Sequence, residues 1–146
     1  MERILFDNEV YLYKEYKFEK ELESLVVKNY QQVFGQNTVY IDIKKKIGND
    51  IVTIPDGYMI DFSFNKSPKL YIIENELAIH DPYKHIGTQV LKFAISYKDS
   101  GRKIKRFILD FLNHNEERYK FVEKKCSDNG FRNIDAFLEA LIYDTP

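Results

Sequence analysis

The order of hydrophobic and polar positions predicts a helix followed by three strands in the first half of the chain. Between residues 14 and 34, hydrophobic side chains recur three or four positions apart, which is typical of an amphipathic helix. Gly35 follows directly and suits the end of a helix. Strand-like runs then predict β-structure over about 38–45, 51–64 and 69–78.

The second half of the chain carries mostly helical patterns. These predict helices over about 83–98, 115–128 and 133–143, while the apolar run over 103–112 predicts a fourth, buried strand. A three-strand meander followed by a helical crossover gives a mixed four-stranded sheet flanked by helices. The sequence therefore predicts a single α/β domain over residues 1–146.

Composition places the chain among soluble globular proteins. It has 146 residues, 44% of them hydrophobic and 31% charged, which is enough to bury a core. No apolar stretch reaches the roughly 20 residues that a membrane-spanning helix needs. Cys126 is the single cysteine, so an internal disulfide and a thiolate zinc cluster are excluded. With no signal-peptide pattern at the N-terminus, we expect a cytoplasmic location.

Net charge narrows the classes of partner. The formal net charge is −1, whereas a DNA-packaging protein would be strongly basic. Near-neutral charge still allows DNA binding through local basic clusters, and the candidates are residues 44–46 and 102–106. Both clusters are equally explained as solvated surface.

Three acidic residues form the main candidate site. Asp56 follows Pro55 in the second predicted strand, and Pro-Asp-Gly should bend or interrupt that strand. Glu74 and Glu76 are two positions apart in the third strand, so their side chains point to the same face. Such carboxylates repel one another unless a cation intervenes, and they suit a hard ion such as Mg²⁺ or Mn²⁺. This pattern favours metal-assisted hydrolysis of a phosphodiester, although exposed acids on an edge strand would give the same pattern.

The first helix carries two further acids. Glu19 and Glu23 lie one turn apart, and Glu19 borders the apolar stripe. Either could reach over the sheet to bind metal or orient water, or could simply be solvated.

The second predicted helix carries a polar stripe at spacings of four, three and four, formed by His85, Gln89, Lys92 and Ser96. Because it begins just after the glutamates, its first turns should overhang the site, where Gln89 could hold a phosphate or water and Lys92 could supply positive charge. An alternative is a zinc site from His80, His85 and a glutamate. The opposite side is predicted to bury Ile86, Val90, Phe93, Ala94 and Tyr97.

In order, these elements resemble the PD-(D/E)xK nuclease superfamily, and in particular a group of uncharacterised bacterial or phage domains. The resemblance is carried by Glu19, Pro55-Asp56, Glu74-Asn75-Glu76 and Gln89-x-x-x-Phe93. It implies a restriction-endonuclease-like αβββαβ core over about residues 14–112, with a C-terminal helical extension over 113–146.

By this resemblance Asp56 and Glu74 would be the main metal ligands, and Glu19 the acid from the first helix. Glu76 occupies the position at which the family carries a lysine, giving ExE in place of ExK. Some restriction enzymes of the superfamily carry glutamate there, and Lys92 is the candidate for restoring the missing charge.

The sequence thus favours a Mg²⁺- or Mn²⁺-dependent endonuclease acting on DNA. One alternative is a catalytically inactive module that keeps the nuclease fold and binds nucleic acid or protein. Another is a metallohydrolase with a small substrate. The sequence leaves open whether the chain forms a homodimer, whether a further domain follows residue 146, and whether the substrate is single- or double-stranded.

Overall fold

A sheet of three antiparallel strands is covered by helices from the second half of the chain. The computed structural model describes residues 3–6, 8–12, 14–64, 67–77, 79, 81 and 83–143, with backbone alone for 3–6, 11, 84 and 85. In chain order its elements are β1 (Arg3–Phe6), β2 (Glu9–Leu12), α1 (Glu19–Lys28), α2 (Tyr30–Phe34), β3 (Thr38–Ile41), β4 (Gly57–Asp61), β5 (Lys69–Ile73), a π-helical turn (Tyr83–Gly87), α3 (Thr88–Lys98), α4 (Gly101–Asn113), α5 (Glu116–Asp128) and α6 (Ile134–Tyr143).

The three-strand meander predicted from the sequence is confirmed. The strands lie in the order β3-β4-β5, and β4 pairs with both neighbours. Its register joins Asp61 to Thr38 on one side and Gly57 to Ile73 on the other. All four residues of β3 are buried, as is β4 up to Ile60. The central strand is therefore a rigid base for residues at its ends.

The core forms where this sheet meets α4, α5 and α6. Ile104, Ile108 and Leu112 follow one another at four-residue spacing along α4, and none of them is accessible to solvent. Val122 of α5 and Leu138 of α6 are buried to the same degree. This continuous apolar cluster fixes the helices on the sheet, because apolar burial is the dominant favourable contribution to folding. Within the described residues, no helix is both long and apolar enough to cross a bilayer.

The strand predicted over residues 103–112 is wrong, because these residues belong to α4. The β-branched and aromatic residues of this run favour a strand locally, yet Phe107 and Ile108 follow Ile104 by three and four positions, and Leu112 follows Ile108 by four. That spacing places all of them on one helical face, and tertiary packing overrides the local preference. The described central sheet accordingly has three strands instead of four and is antiparallel instead of mixed. The coarser prediction, a fold that combines helices with a β-sheet, is confirmed.

Several element boundaries also differ from the prediction. The first helix begins at Glu19 and breaks at Asn29 into α1 and α2. Gly35 ends α2 with a φ of 106° and donates its N–H to the Gln31 carbonyl at 2.9 Å, as the sequence indicated. The predicted interruption at Pro55-Asp56-Gly57 is confirmed, since β4 begins at Gly57. The hairpin formed by β1 and β2 was not predicted.

The predicted orientation of α3 is largely wrong. Phe93 is buried as expected, but so is Ser96, whose hydroxyl donates to the carbonyl of Ile51 at 2.7 Å. Because this polar contact holds one side of the helix against the chain, the other side turns outward. The residues predicted to be buried that are instead exposed are Ile86, Val90 and Ala94.

Candidate active site

Asp56 and Glu74 lie at the same end of the β4–β5 pair. Since Gly57 pairs with Ile73, the next step along both strands brings Asp56 to the level of Glu74. Two hydrogen bonds fix this arrangement: the Asp56 N–H donates to the Ile73 carbonyl at 3.1 Å, and the Asn75 N–H donates to Asp56 Oδ2 at 2.8 Å. The meander thus brings together two acids that are 18 positions apart in the sequence.

Gly57 allows the chain to pass close to Tyr40 just after Asp56. A Cβ atom at position 57 would lie 2.7 Å from Tyr40 Oη and 2.9 Å from the Ile41 carbonyl oxygen. Tyr40 is completely buried, so its ring has little room to move. The glycine therefore sets the path of the backbone that carries Asp56.

Lys44 places a positive charge between Asp56 and Glu23. Its Nζ lies 3.1 Å from Asp56 Oδ1 and also forms an ion pair with Glu23 Oε2. Burial acts to lower the pKa of Lys44, but the hydrogen bonds to Glu23 and Asp56 outweigh it, so the net pKa is raised and the ammonium stays charged. Lys44 therefore links the first helix to the beginning of β4.

Glu74 contacts α3 through one of its two carboxylate oxygens. The Gln89 side-chain amide donates from Nε2 to Glu74 Oε1 at 2.9 Å. The second oxygen, Oε2, is buried and has no hydrogen-bond partner among the described residues. A buried acceptor in this state is costly unless it is protonated or receives a ligand.

The electrostatic environment of Glu74 is strongly perturbed. Its pKa is raised to about 7, chiefly by burial and then by the negative charges of Asp56, Glu76 and Glu19, while Lys44 opposes the rise. These effects show that the four acids are near enough to interact. A carboxyl group surrounded by like charges favours either protonation or a bound cation.

Glu76 shares a small cavity with Glu74. The cavity has a volume of about 230 Å³, and Gln89 and Phe93 also line it. Both glutamates lie just beyond the end of β5 at Ile73, so the predicted strand over 69–78 is too long.

A wider groove of about 960 Å³ opens beside this centre, between α1 and the segment that follows β3. Glu19, Glu23 and Lys44 lie along it. Lysines 17, 20 and 28 add positive charge to its walls, and Asp42 adds a third acid to Glu19 and Glu23.

The described side chains fit a divalent ion in chemical type but do not form a complete ligand set. Within the part of the chain that the structure describes, no group of three or more His, Cys, Asp or Glu side chains is arranged to hold a metal ion. Asp56 Oδ1 faces the Lys44 ammonium and Oδ2 faces the Asn75 N–H, whereas Glu74 Oε2 lacks a partner there. A hard cation would therefore find one ready oxygen and would compete with Lys44 for Asp56.

The remaining predicted residues fall in different places. Gln89 contacts Glu74, as expected of the first turns of the second helix. Lys92 is exposed on α3, and its predicted role stays untested. His80 lies outside the described residues, and the side chain of His85 is likewise not described, so the zinc alternative also stays a prediction.

Lys44 was missed as a site residue because it belongs to a run of three lysines that is typical of solvated surface. A signal was nevertheless present. In an antiparallel meander, residues that follow one strand lie beside residues that precede the next. Residues 42–44, which follow β3, are therefore expected to lie near Asp56, which precedes β4.

No protein-family model, curated protein or solved structure matches this chain.

Proposed function

We propose that this protein is a metal-dependent phosphodiesterase of the nuclease class, with Mg²⁺ or Mn²⁺ as its cofactor and DNA as its substrate. Glu74 provides the main support. Its buried Oε2 has no partner among the described residues, and the pKa of its carboxyl is raised to about 7 by burial and by neighbouring acids. Perturbed carboxyl groups of this kind are concentrated at functional sites.

The roles of the residues follow from their contacts. Asp56 and Glu74 would supply hard oxygen ligands from the ends of two paired strands. A bound Mg²⁺ or Mn²⁺ would stabilise negative charge that develops on the phosphoryl group. Gln89 donates a hydrogen bond to Glu74 Oε1, so it would orient Glu74 Oε2 toward the metal ion. Glu19 and Glu76 would add negative charge that attracts the ion.

Lys44 would supply the positive charge that the ExE sequence lacks. It already contacts Asp56, whereas Lys92 is exposed on α3. An ammonium at this position would stabilise the developing charge of a phosphodiester transition state. A restriction-endonuclease-like core belongs to the same proposal: the helix followed by three antiparallel strands supports it, with α4 in place of the expected fourth strand.

The groove beside the site supports a polyanionic substrate. Lys17, Lys20 and Lys28 would contact phosphates, since lysine contacts to the backbone supply most sequence-independent affinity for DNA. Most side chains that line the groove are exposed, whereas a small-molecule hydrolase would enclose its substrate.

Cleavage assays test this proposal. Plasmid and single-stranded circular DNA are incubated with the parent protein and Mn²⁺, and then with Asp56→Ala, Glu74→Ala and the control Glu117→Ala on the exposed side of α5. We expect cleavage by the parent and the control, with loss of activity in both site variants. If both site variants cut as well as the parent, the site is wrongly assigned.

A second candidate function is a non-catalytic module that binds nucleic acid or protein. The ion pairs of Lys44 with Asp56 and Glu23 favour it, because they satisfy two acids without any metal. This alternative predicts DNA binding that is unaffected by Mn²⁺ and no cleavage under any condition.

A further inference from the structure

Phe18 leaves an aromatic ring exposed on the lining of the groove beside α1. It directly precedes the first residue of that helix, and 67% of it is accessible to solvent. Two positions earlier, the ring of Tyr16 is covered by the Lys14 ammonium, which lies 5.1 Å from the ring centre. Among the described residues, Phe18 has no such aromatic or cationic partner. The face of its ring is therefore open to a ligand in the groove.

The lining of the groove is also partly apolar. Leu77 is buried there, and Val27 of α1 is half-buried. A DNA duplex keeps its bases paired inside and is contacted mostly through its phosphates and sugars, so it gains little from apolar side chains. Unpaired bases, in contrast, have exposed faces that such side chains can cover. The lining thus favours an unpaired strand over a duplex.

The charge of the groove does not account for tight binding by itself. The lining has four lysines and three acids, an excess of one positive charge: Lys17, Lys20, Lys28 and Lys44, against Glu19, Glu23 and Asp42. Affinity from phosphate contacts grows with the number of phosphates that basic side chains neutralise. A nucleic acid held here must therefore gain further affinity from its bases.

We propose that this groove binds single-stranded nucleic acid, with an unpaired base stacked on Phe18 and the adjoining phosphates near the groove lysines. The inference rests on the proposed function, from which it takes nucleic acid as the ligand, and adds that the bound strand is unpaired. Stacking on an aromatic ring is tolerant of sequence, because every base has a π-face. Lys17 and Lys20 lie within two positions of Phe18, so they place positive charge beside the stacked nucleotide.

The groove leads from Phe18 to the candidate metal ligands. Lys44 lines the groove and also lies 3.1 Å from Asp56 Oδ1. Leu77 belongs both to the groove and to an adjoining cavity of about 310 Å³ that contains Glu76. Glu76 in turn lines the cavity of Glu74. A strand anchored at Phe18 would therefore follow a continuous surface to the site of cleavage.

Binding measured in EDTA tests this inference without cleavage. The probe is a fluorescein-labelled oligothymidylate of about 12 nucleotides, a length that one single-strand site can cover. A labelled duplex of the same length is measured in parallel, and fluorescence anisotropy gives both affinities. We expect the parent to bind the single strand at least about tenfold more tightly than the duplex, because only the single strand offers a base for stacking.

Substitution of Phe18 tests the stacking contact. Phe18→Ala should weaken single-strand binding by about 5- to 100-fold, the range for the loss of one stacked base. Phe18→Trp keeps a flat ring and should retain the affinity. The control is Phe64→Ala, which removes another exposed phenylalanine that lies outside the groove, and it should bind as the parent does. Because Phe18 is exposed, its replacement should leave thermal unfolding unchanged.

An oligomer with the same phosphates but abasic sugars separates stacking from charge. The parent should bind it at least about fivefold more weakly than oligothymidylate, and Phe18→Ala should discriminate less between the two. No binding of the single strand, duplex binding of equal strength, equal binding by Phe18→Ala and the parent, or equal binding of the abasic oligomer would each overturn the inference. Single-strand binding without cleavage in Mn²⁺ would instead contradict only the nuclease proposal.

Discussion

The ammonium of Lys44 lies 3.1 Å from Asp56 Oδ1, so a cation already stands beside the candidate metal ligand. The contact arises from the sheet register, which brings the segment after β3 alongside the residue before β4. Lys44 and a divalent ion would compete for the same carboxylate. This competition should affect both the affinity for Mn²⁺ and the rate of cleavage.

Replacing Lys44 should separate metal binding from cleavage. In Lys44→Met we expect Mn²⁺ to bind up to about fivefold more tightly, which corresponds to the roughly 1 kcal/mol of an exposed ion pair. Cleavage should nevertheless fall by about 10²–10³-fold, as on removal of one transition-state donor. Calorimetric Mn²⁺ titration and initial cleavage rates measure the two effects.

The matched control is Lys46→Met, an exposed residue of the same lysine run. It should leave both quantities unchanged. Equal cleavage by Lys44→Met and the parent would remove Lys44 from the mechanism.

The raised pKa of Glu74 predicts how stability depends on pH in the metal-free protein. Its folded-state pKa of about 7 exceeds the ordinary value of 4.5, because burial disfavours the charged form. Between these values the folded state holds a proton that the unfolded chain releases, so the free energy of unfolding falls as pH rises. We expect a decline of no more than about 2 kcal/mol from pH 5 to 8, since solvent screens part of the interaction.

Urea denaturation at several pH values measures this decline. Glu74→Gln should remove it, while Glu117→Gln, on the exposed side of α5, should preserve it. A pH dependence that is identical in the parent and in Glu74→Gln would show that another group titrates.

The close approach of Gly57 to Tyr40 predicts a large effect from a small substitution. Gly57→Ala places a Cβ atom 2.7 Å from Tyr40 Oη and should destabilise the protein by about 1–3 kcal/mol, as overpacking does in buried sites. Thermal unfolding measures the loss. Adding Tyr40→Phe should recover part of it, because the hydroxyl oxygen is the nearest atom. A neutral Gly57→Ala variant would contradict the described backbone path.

Arg118 is expected to anchor the sheet to the helices. Its Nη1 donates to the Tyr40 carbonyl, and its guanidinium lies 5.0 Å from the ring centre of Tyr30 and 5.3 Å from that of Phe111. Arg118→Met should lower the free energy of unfolding by about 1.5–3 kcal/mol, the range for hydrogen bonds to charged groups. The exposed Arg132→Met is the control and should have no measurable effect. Similar stability of the two variants would argue against this anchor.

Local signals in the sequence were sufficient for the meander and for most helix ends. Gly35 ends α2, and Gly130 follows α5 with a φ of 81°, as glycine in these positions allows. The α5 helix, predicted over about 115–128, is observed from Glu116 to Asp128. In these places backbone preference and hydrophobic spacing point to the same structure.

Prediction failed where local preference and tertiary packing disagree. The run over 103–112 is rich in residues that favour strands, but four apolar side chains at helical spacing bury more surface as α4. The orientation of α3 depends on two contacts with distant segments, Ser96 to Ile51 and Gln89 to Glu74. The spacing of the polar stripe placed Gln89 near the glutamates, but no periodicity within the helix could have indicated that Ser96 contacts Ile51.

The candidate site was likewise predicted only in part, because part of it depends on contacts between distant segments. Asp56 and Glu74 could be paired from the sequence because consecutive antiparallel strands are neighbours. The same rule places residues 42–44 near Asp56, but it does not show which of them contacts the carboxylate, because that depends on the exact register of β3 and β4. Glu19 affects the pKa of Glu74, which agrees with its expected place near the sheet.

The proposed function requires that Asp56 and Glu74 together bind a divalent cation. Isothermal titration of the parent with Mn²⁺ at pH 8, where Glu74 is mostly ionised, tests it most directly, with Asp56→Ala and Glu74→Ala measured under the same conditions. We expect the parent to bind Mn²⁺ at millimolar concentration or below, and both variants to lose binding. No binding by the parent at millimolar Mn²⁺, or equal binding by all three proteins, would contradict the claim.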